Sequence, residues 1–316
     1  MQKETVYVVG HKSPDTDTVC SAIAYADYLK KSRRIKAVPA VFGEINPETK
    51  FVLDYFKAKT PEQLRVSEGQ KIVLVDHNEK SQNPDGIEKA KIIEILDHHK
   101  IGFNCSEPVI CHTEPVGSTA TLVAEKMIND KKFKITPQLA GLLVSAILSD
   151  TVVFKSATTA KKDIEIAKKL GIKAKIKNLK KFGIEIKKQK ASMEGMNAEK
   201  IIYSDFKNFE AGDKKFGVGQ IEVVDFKEAK ERKGEILEKL AEIAQKENMS
   251  FVALMVTDII KGGSEILVSG NTDIMEKAFG KKVIDGSFYL EKAMSRKKDI
   301  LPPLMEAFEL TEAGPL

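Results

Sequence analysis

Histidine and aspartate residues gather at three points of this sequence in a way that suits a metal site. The first group lies in the segment His11–Asp17, which reads HKSPDTD. The second is the pair Asp76-His77, and the third is the triplet Asp97–His99. Four of the five histidines of the chain fall in these groups. Carboxylate and imidazole ligands without thiolates favour Mn²⁺, Co²⁺ or Fe²⁺, and Mg²⁺ at a carboxylate-rich position.

Each group directly follows a segment with the pattern of a buried strand. The segments Thr5–Val9, Lys71–Val75 and Ile92–Leu96 are short runs rich in apolar and β-branched residues. In a parallel α/β sheet the carboxyl ends of the strands converge on one crevice, which is where ligands bind. We therefore expect the three groups to be neighbours, with Asp150, at the end of an apolar helix, as a plausible fourth contributor.

Several carboxylates in one crevice repel one another, and this repulsion raises their pKa values. Divalent cations remove the repulsion. Two cations about 3.5–4 Å apart can activate a bridging water and also neutralise charge on a phosphoryl group. The sequence thus predicts hydrolytic chemistry rather than redox or acyl-transfer chemistry.

Each of these residues taken singly has a plainer explanation. A lone Asp15 or Asp17 at a helix start is more often a cap than a ligand. His11 alone is more often a hydrogen-bonded loop residue, and Asp97 alone could support its neighbours or cap an element. The occurrence of such residues at three successive strand ends is what favours metal binding.

Strands and helices alternate through the first half of the chain, which indicates an α/β fold with a mainly parallel sheet flanked by helices. A further strand is expected at Lys36–Phe42. The predicted helices of this half are Asp17–Lys30, Pro47–Phe56, Gly117–Ile128 and Pro137–Leu148.

A second, smaller α/β domain is expected in the remainder. Its predicted strands are Lys200–Phe206, Lys215–Val224, Phe251–Ile260 and Glu265–Val268, and its long amphipathic helix is Phe226–Asn248. Periodicity is weak around Gly195, which predicts a linker and hinge there. We expect a first domain over residues 1–190, a linker over 191–198 and a second domain over 199–316, with residues 309–316 as a tail.

The composition sets limits on function. The chain has 316 residues, 42% of them hydrophobic, and a formal net charge of only +5. It has no tryptophan and 7% aromatic residues, which argues against nucleic-acid binding through its lysines. Three cysteines without a CxxC pair argue against a disulfide framework or a zinc ribbon. With no signal-peptide pattern and no membrane-length apolar run, we expect a soluble cytoplasmic protein without a membrane partner.

The motifs His11-x-x-x-Asp15-x-Asp17, VDHN and DHH resemble those of the DHH phosphoesterase superfamily. The segments EPVGSTAT and SAILSDTVVFKS, with SDFKNF and Ser295–Lys298 in the second half, are similar to family II inorganic pyrophosphatases. This resemblance spans about residues 4–310. It implies an N-terminal DHH domain, a smaller C-terminal DHHA2-like phosphate-binding domain with a mixed sheet, and an active site in the cleft between them.

The resemblance also implies the residues of a dinuclear metal site. The ligands of one metal would be His11, Asp15 and Asp76. The ligands of the other would be Asp17, Asp76, His98 and Asp150, so that Asp76 bridges the two. Members of the family prefer Mn²⁺ or Co²⁺, two per subunit, use additional Mg²⁺ with the substrate, and are generally cytosolic homodimers.

The same resemblance implies the substrate site. The residues expected to bind pyrophosphate are His99, Lys207, Arg296 and Lys297, and together with Asp76 they form the expected catalytic set. Pyrophosphate carries several negative charges within a few ångströms, and the metals and cations would offset them, most of all in the transition state. A water bridging both metals would lose a proton and attack phosphorus in line. The effect of Asp299, next to these cations, stays open.

Other functions must be weighed against pyrophosphate hydrolysis. DHH-type phosphodiesterases carry a GGGH-type motif, whereas the glycine pair Gly262-Gly263 is followed here by Ser264 and Glu265. This argues against a diesterase. An exopolyphosphatase is harder to exclude, because short polyphosphates carry similar charge. A metal-binding regulatory protein that has lost activity is disfavoured, because every proposed ligand is present.

Overall fold

The structure is a computed structural model and describes residues 4–104, 107–212 and 214–312. The chain divides into two compact units, residues 1–190 and 191–316. Cys105 and the last four residues of the predicted C-terminal tail lie outside the described residues. None of the helices in the described ranges is long and apolar enough to span a bilayer.

The first unit is built on a six-stranded sheet. Its strands are β1 (Val6–Val9), β2 (Ala37–Val41), β3 (Glu62–Gln63), β4 (Lys71–Val75), β5 (Lys91–Asp97) and β6 (Ile110–Thr113). Their order across the sheet is β3-β2-β1-β4-β5-β6, and every neighbouring pair is parallel. The three strands that precede the acidic groups, β1, β4 and β5, are therefore adjacent, as the sequence predicted.

The helices of the first unit begin at well-defined caps. They are α1 (Thr16–Lys31), α2 (Pro47–Tyr55), α3 (Thr119–Asn129), α4 (Pro137–Asp150), α5 (Lys161–Lys173) and α6 (Leu179–Lys188). The side chains of Asn46, Ser118 and Thr136 accept hydrogen bonds from the first turns of α2, α3 and α4. Helix α4 is apolar and buried from Leu139 to Ser149, and it packs against α1, whose Cys20 is fully buried.

The second unit contains a five-stranded mixed sheet. Its strands are β7 (Phe206–Ala211), β8 (Lys214–Val223), β9 (Phe251–Asp258), β10 (Gly263–Gly270) and β11 (Ser287–Glu291). Their order is β11-β10-β9-β8-β7, with β8 and β9 parallel and the other pairs antiparallel. The predicted fold class, a mainly parallel sheet followed by a smaller mixed one, is confirmed.

Both faces of the second sheet are covered. The helices of this unit are α7 (Ala198–Ile202), α8 (Lys227–Glu231), α9 (Lys233–Lys246), α10 (Asp273–Phe279) and α11 (Leu301–Glu312). Strand β9 is buried throughout and alternates between two cores. Phe251 and Met255 pack with α10 and α11, whereas Val252 and Leu254 pack with α7 and α9.

Two predicted elements of the second half were wrong. The predicted strand Lys200–Phe206 is instead helix α7 followed by a 3₁₀ turn, and β7 begins only at Phe206. The apolar pair Ile201-Ile202 is compatible with the spacing of a strand and with that of a helix. The N-cap favours the helix, because the side chain of Asn197 accepts from the backbone N–H of Lys200 at 2.8 Å. The predicted helix Phe226–Asn248 is divided at Arg232 into α8 and α9.

The predicted linker and tail also have defined structure where the chain is described. Residues 191–198 belong to the second unit. Within them, Met193 is fully buried in a core of that unit, and its carbonyl accepts from Arg232 at 3.1 Å. The predicted tail is helical over its first part, because α11 continues to Glu312.

Candidate metal centre

The acidic and histidine groups meet at the carboxyl ends of β1, β4 and β5. Gly10 leads from β1 into the first group, and a Cβ added there would lie 2.2 Å from Cγ2 of Thr18. Only glycine therefore lets the start of α1 approach the strand end so closely. This approach brings the first turn of α1 beside the residues that follow β4 and β5.

One set of possible metal-binding atoms comes from His11, Asp15 and Asp76, whose donor atoms all lie within 4.8 Å of one another. Nε2 of His11 is 3.6 Å from Oδ2 of Asp15 and 3.6 Å from Oδ2 of Asp76. Asp15 is also the N-cap of α1, because its Oδ1 accepts from the backbone N–H of Thr18 at 2.9 Å. The capping explanation and the ligand explanation of Asp15 are thus compatible, since they use different oxygens.

A second set comprises Asp17, Asp76, His98 and Asp150, again with donor atoms within 4.8 Å of one another. Nε2 of His98 is 3.4 Å from Oδ1 of Asp76 and 3.6 Å from Oδ2 of Asp150. Asp150 is the last residue of α4, where the negative end of the helix dipole favours a cation and disfavours a carboxylate alone. All six side chains predicted as metal ligands are therefore brought together, although their role as ligands stays a prediction.

Asp76 lies between the two sets and faces each with a different oxygen. Its Oδ2 points to His11 and accepts from the hydroxyl of Thr18 at 2.7 Å. Its Oδ1 points to His98 and accepts from the hydroxyl of Thr119 at 3.1 Å. The backbone of Asp76 has φ of 63°, in the left-handed region that residues other than glycine rarely adopt. Such local strain is typical of a functional position.

Asp17 is fully buried and held by the N-terminus of α3. Its Oδ2 accepts from the backbone N–H of Thr119 at 2.6 Å, and its Oδ1 accepts from that of Ala120 at 2.9 Å. The hydroxyl of Ser21 donates to Oδ1 at 3.0 Å. A helix N-terminus stabilises a negative charge, so these contacts partly offset the burial of the carboxylate.

The two histidines of the DHH triplet are oriented by fixed acceptors. Nδ1 of His98 lies 2.9 Å from the carbonyl oxygen of Val116, which requires the proton on Nδ1 and leaves the lone pair of Nε2 for the centre. His99 is half exposed, and its Nδ1 lies 2.8 Å from Oδ1 of the buried Asp97. Nε2 of His99 is therefore the nitrogen available to a ligand.

Several residues outside the two sets support the centre. Asp97 has the supporting role that the sequence suggested for it, because its Oδ1 accepts from the backbone N–H of both His98 and His99. The amide of Asn78 donates to its Oδ2 at 2.5 Å. The motif VDHN contains Asn78, but only the fold shows that Thr18, Ser21 and Thr119 direct their hydroxyls at the carboxylates.

The electrostatics of the centre match a site for cations. Burial and the charge of Asp76 raise the pKa of Asp17 to about 7, which corresponds to about 4 kcal/mol against its ionisation. Burial and the nearby carboxylates raise the pKa of Asp150 well above its usual value. Burial disfavours the charged form of His98, but Asp76 and Asp17 outweigh it and raise the pKa of His98 to about 9.

The donor set fits divalent cations. Nε2 of His98 is buried and has no hydrogen-bond partner within the described parts of the chain. At 3.4 and 3.6 Å, its neighbouring carboxylate oxygens are too far for strong hydrogen bonds but suitably placed to share one ion. Imidazole and carboxylate donors without thiolates are the ligands expected for Mn²⁺ or Co²⁺.

The predicted substrate cations Lys207, Arg296 and Lys297 belong to the second unit. Lys207 is exposed on β7, where it pairs with Val218 of β8, and Lys297 is exposed on a π-helical turn that leads into α11. The guanidinium of Arg296 is buried and donates from Nη1 to the carbonyl of Val218 at 3.0 Å. It also donates from Nη1 to the carbonyl of Asp205 and from Nη2 to its carboxylate, the latter at 2.8 Å.

Asp299 has a structural role that the sequence left open. Its Oδ2 accepts from the backbone N–H groups of Met294 and Ser295, both at 2.8 Å. The carboxylate thereby holds the turn that presents Lys297. Its negative charge is directed at backbone donors.

His112 also belongs to a group that could hold a metal, with Glu114 and Glu125. The ammonium group of Lys162 already pairs with both glutamates, at 2.5 Å and 3.0 Å. The ammonium group of Lys162 therefore already offsets the negative charge of this group.

The sequence matches two domain descriptions. Residues 5–147 match the DHH family N-terminal domain, and residues 184–307 match the DHHA2 domain. The chain is 48% identical to the manganese-dependent inorganic pyrophosphatase of Methanocaldococcus jannaschii over 309 residues, which cover 96% of this chain and 99% of the relative. It is 45% identical to that of Methanothrix thermoacetophila, with 97% and 99% covered.

Among solved structures, a Methanococcus jannaschii protein assigned to the family II inorganic pyrophosphatases matches with a TM-score of 0.63 and 47% identity. This match covers 96% of the present chain and 99% of the other. The fold and the site thus define a two-domain DHH protein with a candidate metal centre. The chain belongs to the family of manganese-dependent, family II inorganic pyrophosphatases, which confirms the resemblance found in the motifs.

Metal binding should release protons from this centre. The pKa of His98 is about 9 and that of Asp17 about 7. In the metal-free protein at pH 7, His98 is therefore protonated and Asp17 is partly protonated. Because ligands must be deprotonated, we expect roughly one or more protons released per chain on saturation with Mn²⁺. Affinity should rise from pH 6 to pH 8, since fewer protons then compete.

Calorimetric titration with Mn²⁺ in buffers of different ionisation enthalpy measures this release directly. The variant His98→Ala should release fewer protons and bind the metal more weakly. Equal apparent enthalpies in all buffers, with affinity independent of pH, would contradict the electrostatic description of the site.

Proposed function

We propose that this protein hydrolyses inorganic pyrophosphate to two phosphates at a centre for two Mn²⁺ or Co²⁺ ions, with Mg²⁺ accompanying the substrate. When bound, two divalent ions supply a water of lowered pKa and neutralise phosphoryl charge. The observation that carries the proposal is the orientation of Asp76, whose two oxygens face two different histidines, each with a further carboxylate. A shared carboxylate between two donor sets is what a dinuclear site needs.

In this proposal two sets of ligands, which share Asp76, hold the two ions. His11, Asp15 and Asp76 would hold one ion. The other ion would be held by Asp17, Asp76, His98 and Asp150. The hydroxyls of Thr18 and Thr119 fix the carboxylate of Asp76, so that its two oxygens need little reorientation when ions bind.

His99, Lys207, Arg296 and Lys297 are proposed to bind pyrophosphate. The carboxylate of Asp97 accepts a hydrogen bond from Nδ1 of His99 and holds the ring in place. This hydrogen bond is the largest cause of the raised pKa of His99, and it outweighs burial and the charge of His98, which act in the opposite direction. A protonated His99 could donate to a phosphate oxygen through Nε2. The lysines act as point charges, whereas Arg296 offers a planar fork.

The assembly and location are also proposals. The family resemblance favours a homodimer in the cytoplasm and an active site in the cleft between the domains, and the weak periodicity around Gly195 favours a linker at residues 191–198. Pyrophosphate is the proposed partner, without nucleic acid or membrane.

The function is tested by phosphate release from pyrophosphate, tripolyphosphate and a short dinucleotide, each supplied to metal-stripped protein with Mn²⁺, Co²⁺, Mg²⁺ or Zn²⁺. We expect rapid turnover of pyrophosphate with Mn²⁺ or Co²⁺, and little release from the other two substrates. Faster release from tripolyphosphate would favour the exopolyphosphatase alternative, and cleavage of the dinucleotide would favour a phosphodiesterase.

Asp76→Ala should abolish turnover and weaken the binding of both ions, because one carboxylate is proposed to serve both. The loss of affinity should exceed the roughly 10–100-fold that removal of an outer partner of a metal ligand costs. Asp54→Ala, on the exposed face of α2, is the matched control and should change neither property. Binding of two ions by Asp76→Ala with wild-type affinity would show that Asp76 does not bridge them.

Lys297→Ala should raise the Michaelis constant roughly tenfold while leaving metal binding unchanged, because it removes one charged hydrogen-bond donor to phosphate. Lys298→Ala is the matched control, since Lys298 is the adjacent lysine of the same turn and is also exposed. Steady-state kinetics with both variants measure the difference. Similar constants for Lys297→Ala and Lys298→Ala would remove the proposed role of Lys297.

A further inference from the structure

A buried glutamate behind the candidate metal centre connects two of its ligand-bearing segments. Glu48 lies in the first turn of α2 and is only 2% exposed. Its Oε1 accepts from the hydroxyl of Thr16 at 2.9 Å and from the hydroxyl of Ser149. Both donors are themselves buried, so water cannot replace these hydrogen bonds easily.

The two donors adjoin proposed metal ligands in the sequence. Thr16 stands between Asp15 and Asp17, at the start of α1. Ser149 directly precedes Asp150, at the end of α4. One carboxylate oxygen thus fixes the distance between the beginning of α1 and the end of α4, which are more than a hundred residues apart along the chain.

The charge of this glutamate is balanced from a third helix. Nζ of Lys187, on α6, lies 3.1 Å from Oε2 of Glu48, and the lysine side chain is 16% exposed. The hydroxyls of Thr16 and Thr49 are 3.1 Å apart, and because Thr16 donates to Glu48, Thr49 donates to Thr16. A paired and hydrogen-bonded buried carboxylate of this kind holds its partners in one geometry, whereas breaking the pair leaves an uncompensated charge.

We propose that Glu48 is a positioning residue for the metal centre, acting through Thr16 on Asp15 and Asp17 and through Ser149 on Asp150. This inference rests on the proposed function, since it assigns those aspartates to metal ions. The hydrogen bonds and the ion pair of Glu48 among the described residues go to Thr16, Ser149 and Lys187 and to no proposed ligand side chain. Its proposed effect is therefore on the positions of the ligands. Outer partners that orient metal ligands tune affinity in this way.

Glu94 offers a matched control for the effect of losing a buried carboxylate. It is 4% exposed, accepts from the hydroxyl of Tyr25 at 2.6 Å and pairs with Arg33 at 3.5 Å. It therefore resembles Glu48 in burial, in its hydroxyl donor and in its cation. Neither of these partners is next to a proposed ligand in the sequence.

The experiment compares Glu48→Gln, Glu94→Gln and the wild-type chain by calorimetric titration with Mn²⁺, together with thermal unfolding in the absence of metal. Both variants should unfold at lower temperature than the wild type. Only Glu48→Gln should bind Mn²⁺ about tenfold more weakly, at the low end of the range for outer partners of metal ligands. Its turnover number should fall, while its Michaelis constant for pyrophosphate stays near wild type.

Variants that remove one hydroxyl donor at a time distinguish the hydrogen bond from Thr16 from the hydrogen bond from Ser149. They also replace Glu48→Gln if that variant does not fold. Ser149→Ala should weaken only the set of Asp17, Asp76, His98 and Asp150, because it acts through Asp150. Thr16→Val should weaken both ions, because Thr16 adjoins a ligand of each set.

Wild-type affinity in Glu48→Gln, or a loss no greater than that of Glu94→Gln, would overturn the inference. So would wild-type affinity in both Ser149→Ala and Thr16→Val. Failure of the wild-type chain to bind Mn²⁺ and to hydrolyse pyrophosphate would instead overturn the proposed function, so the two failures are distinguishable.

Discussion

Mutual repulsion among buried carboxylates is the constraint on which the first unit depends. Asp17 and Asp76 are almost fully enclosed, and Asp15 and Asp150 face them across short distances. The fold reduces this repulsion with hydroxyl donors and with the N-terminus of α3, yet the pKa of Asp17 remains raised to about 7. Asp150, at the C-terminal end of α4, makes the potential still more negative. Negative charge therefore remains uncompensated at this site, and bound divalent cations would offset it.

The sheet explains how one chain assembles such a centre. Because β1, β4 and β5 are adjacent and parallel, the residues that follow them lie in one row. Asp76 occupies the middle of that row, and its left-handed backbone directs the carboxylate between the first group and the third. The central strand of the three therefore carries the residue that faces both histidines. Topology, rather than proximity in sequence, gives Asp76 its shared position.

Much of this arrangement could be predicted from the sequence because strand ends are marked by composition. The apolar runs before Gly10, Asp76 and Asp97 stop where the polar groups begin, and parallel pairing follows from the alternation with helices. The supporting contacts could not be predicted in the same way. Thr119 is 43 residues from Asp76, and its hydroxyl is one of many in the chain until the fold aligns α3 with the strand ends. Local patterns also failed at Lys200–Phe206, where two isoleucines fit either period and a capping asparagine decided for helix.

The second unit shows how a predicted binding residue can also be part of the scaffold. Arg296 has five N–H donors, and three of its hydrogen bonds go to Asp205 and Val218. These contacts tie the turn before α11 to β8, and Asp299 closes the same turn from within. If Arg296 binds phosphate as proposed, the guanidinium is already fixed in position before the ligand arrives. The exposed Lys297 has no comparable hydrogen bond to another described residue, so under the proposed function electrostatic attraction and structural support would be divided between adjacent residues of one short motif.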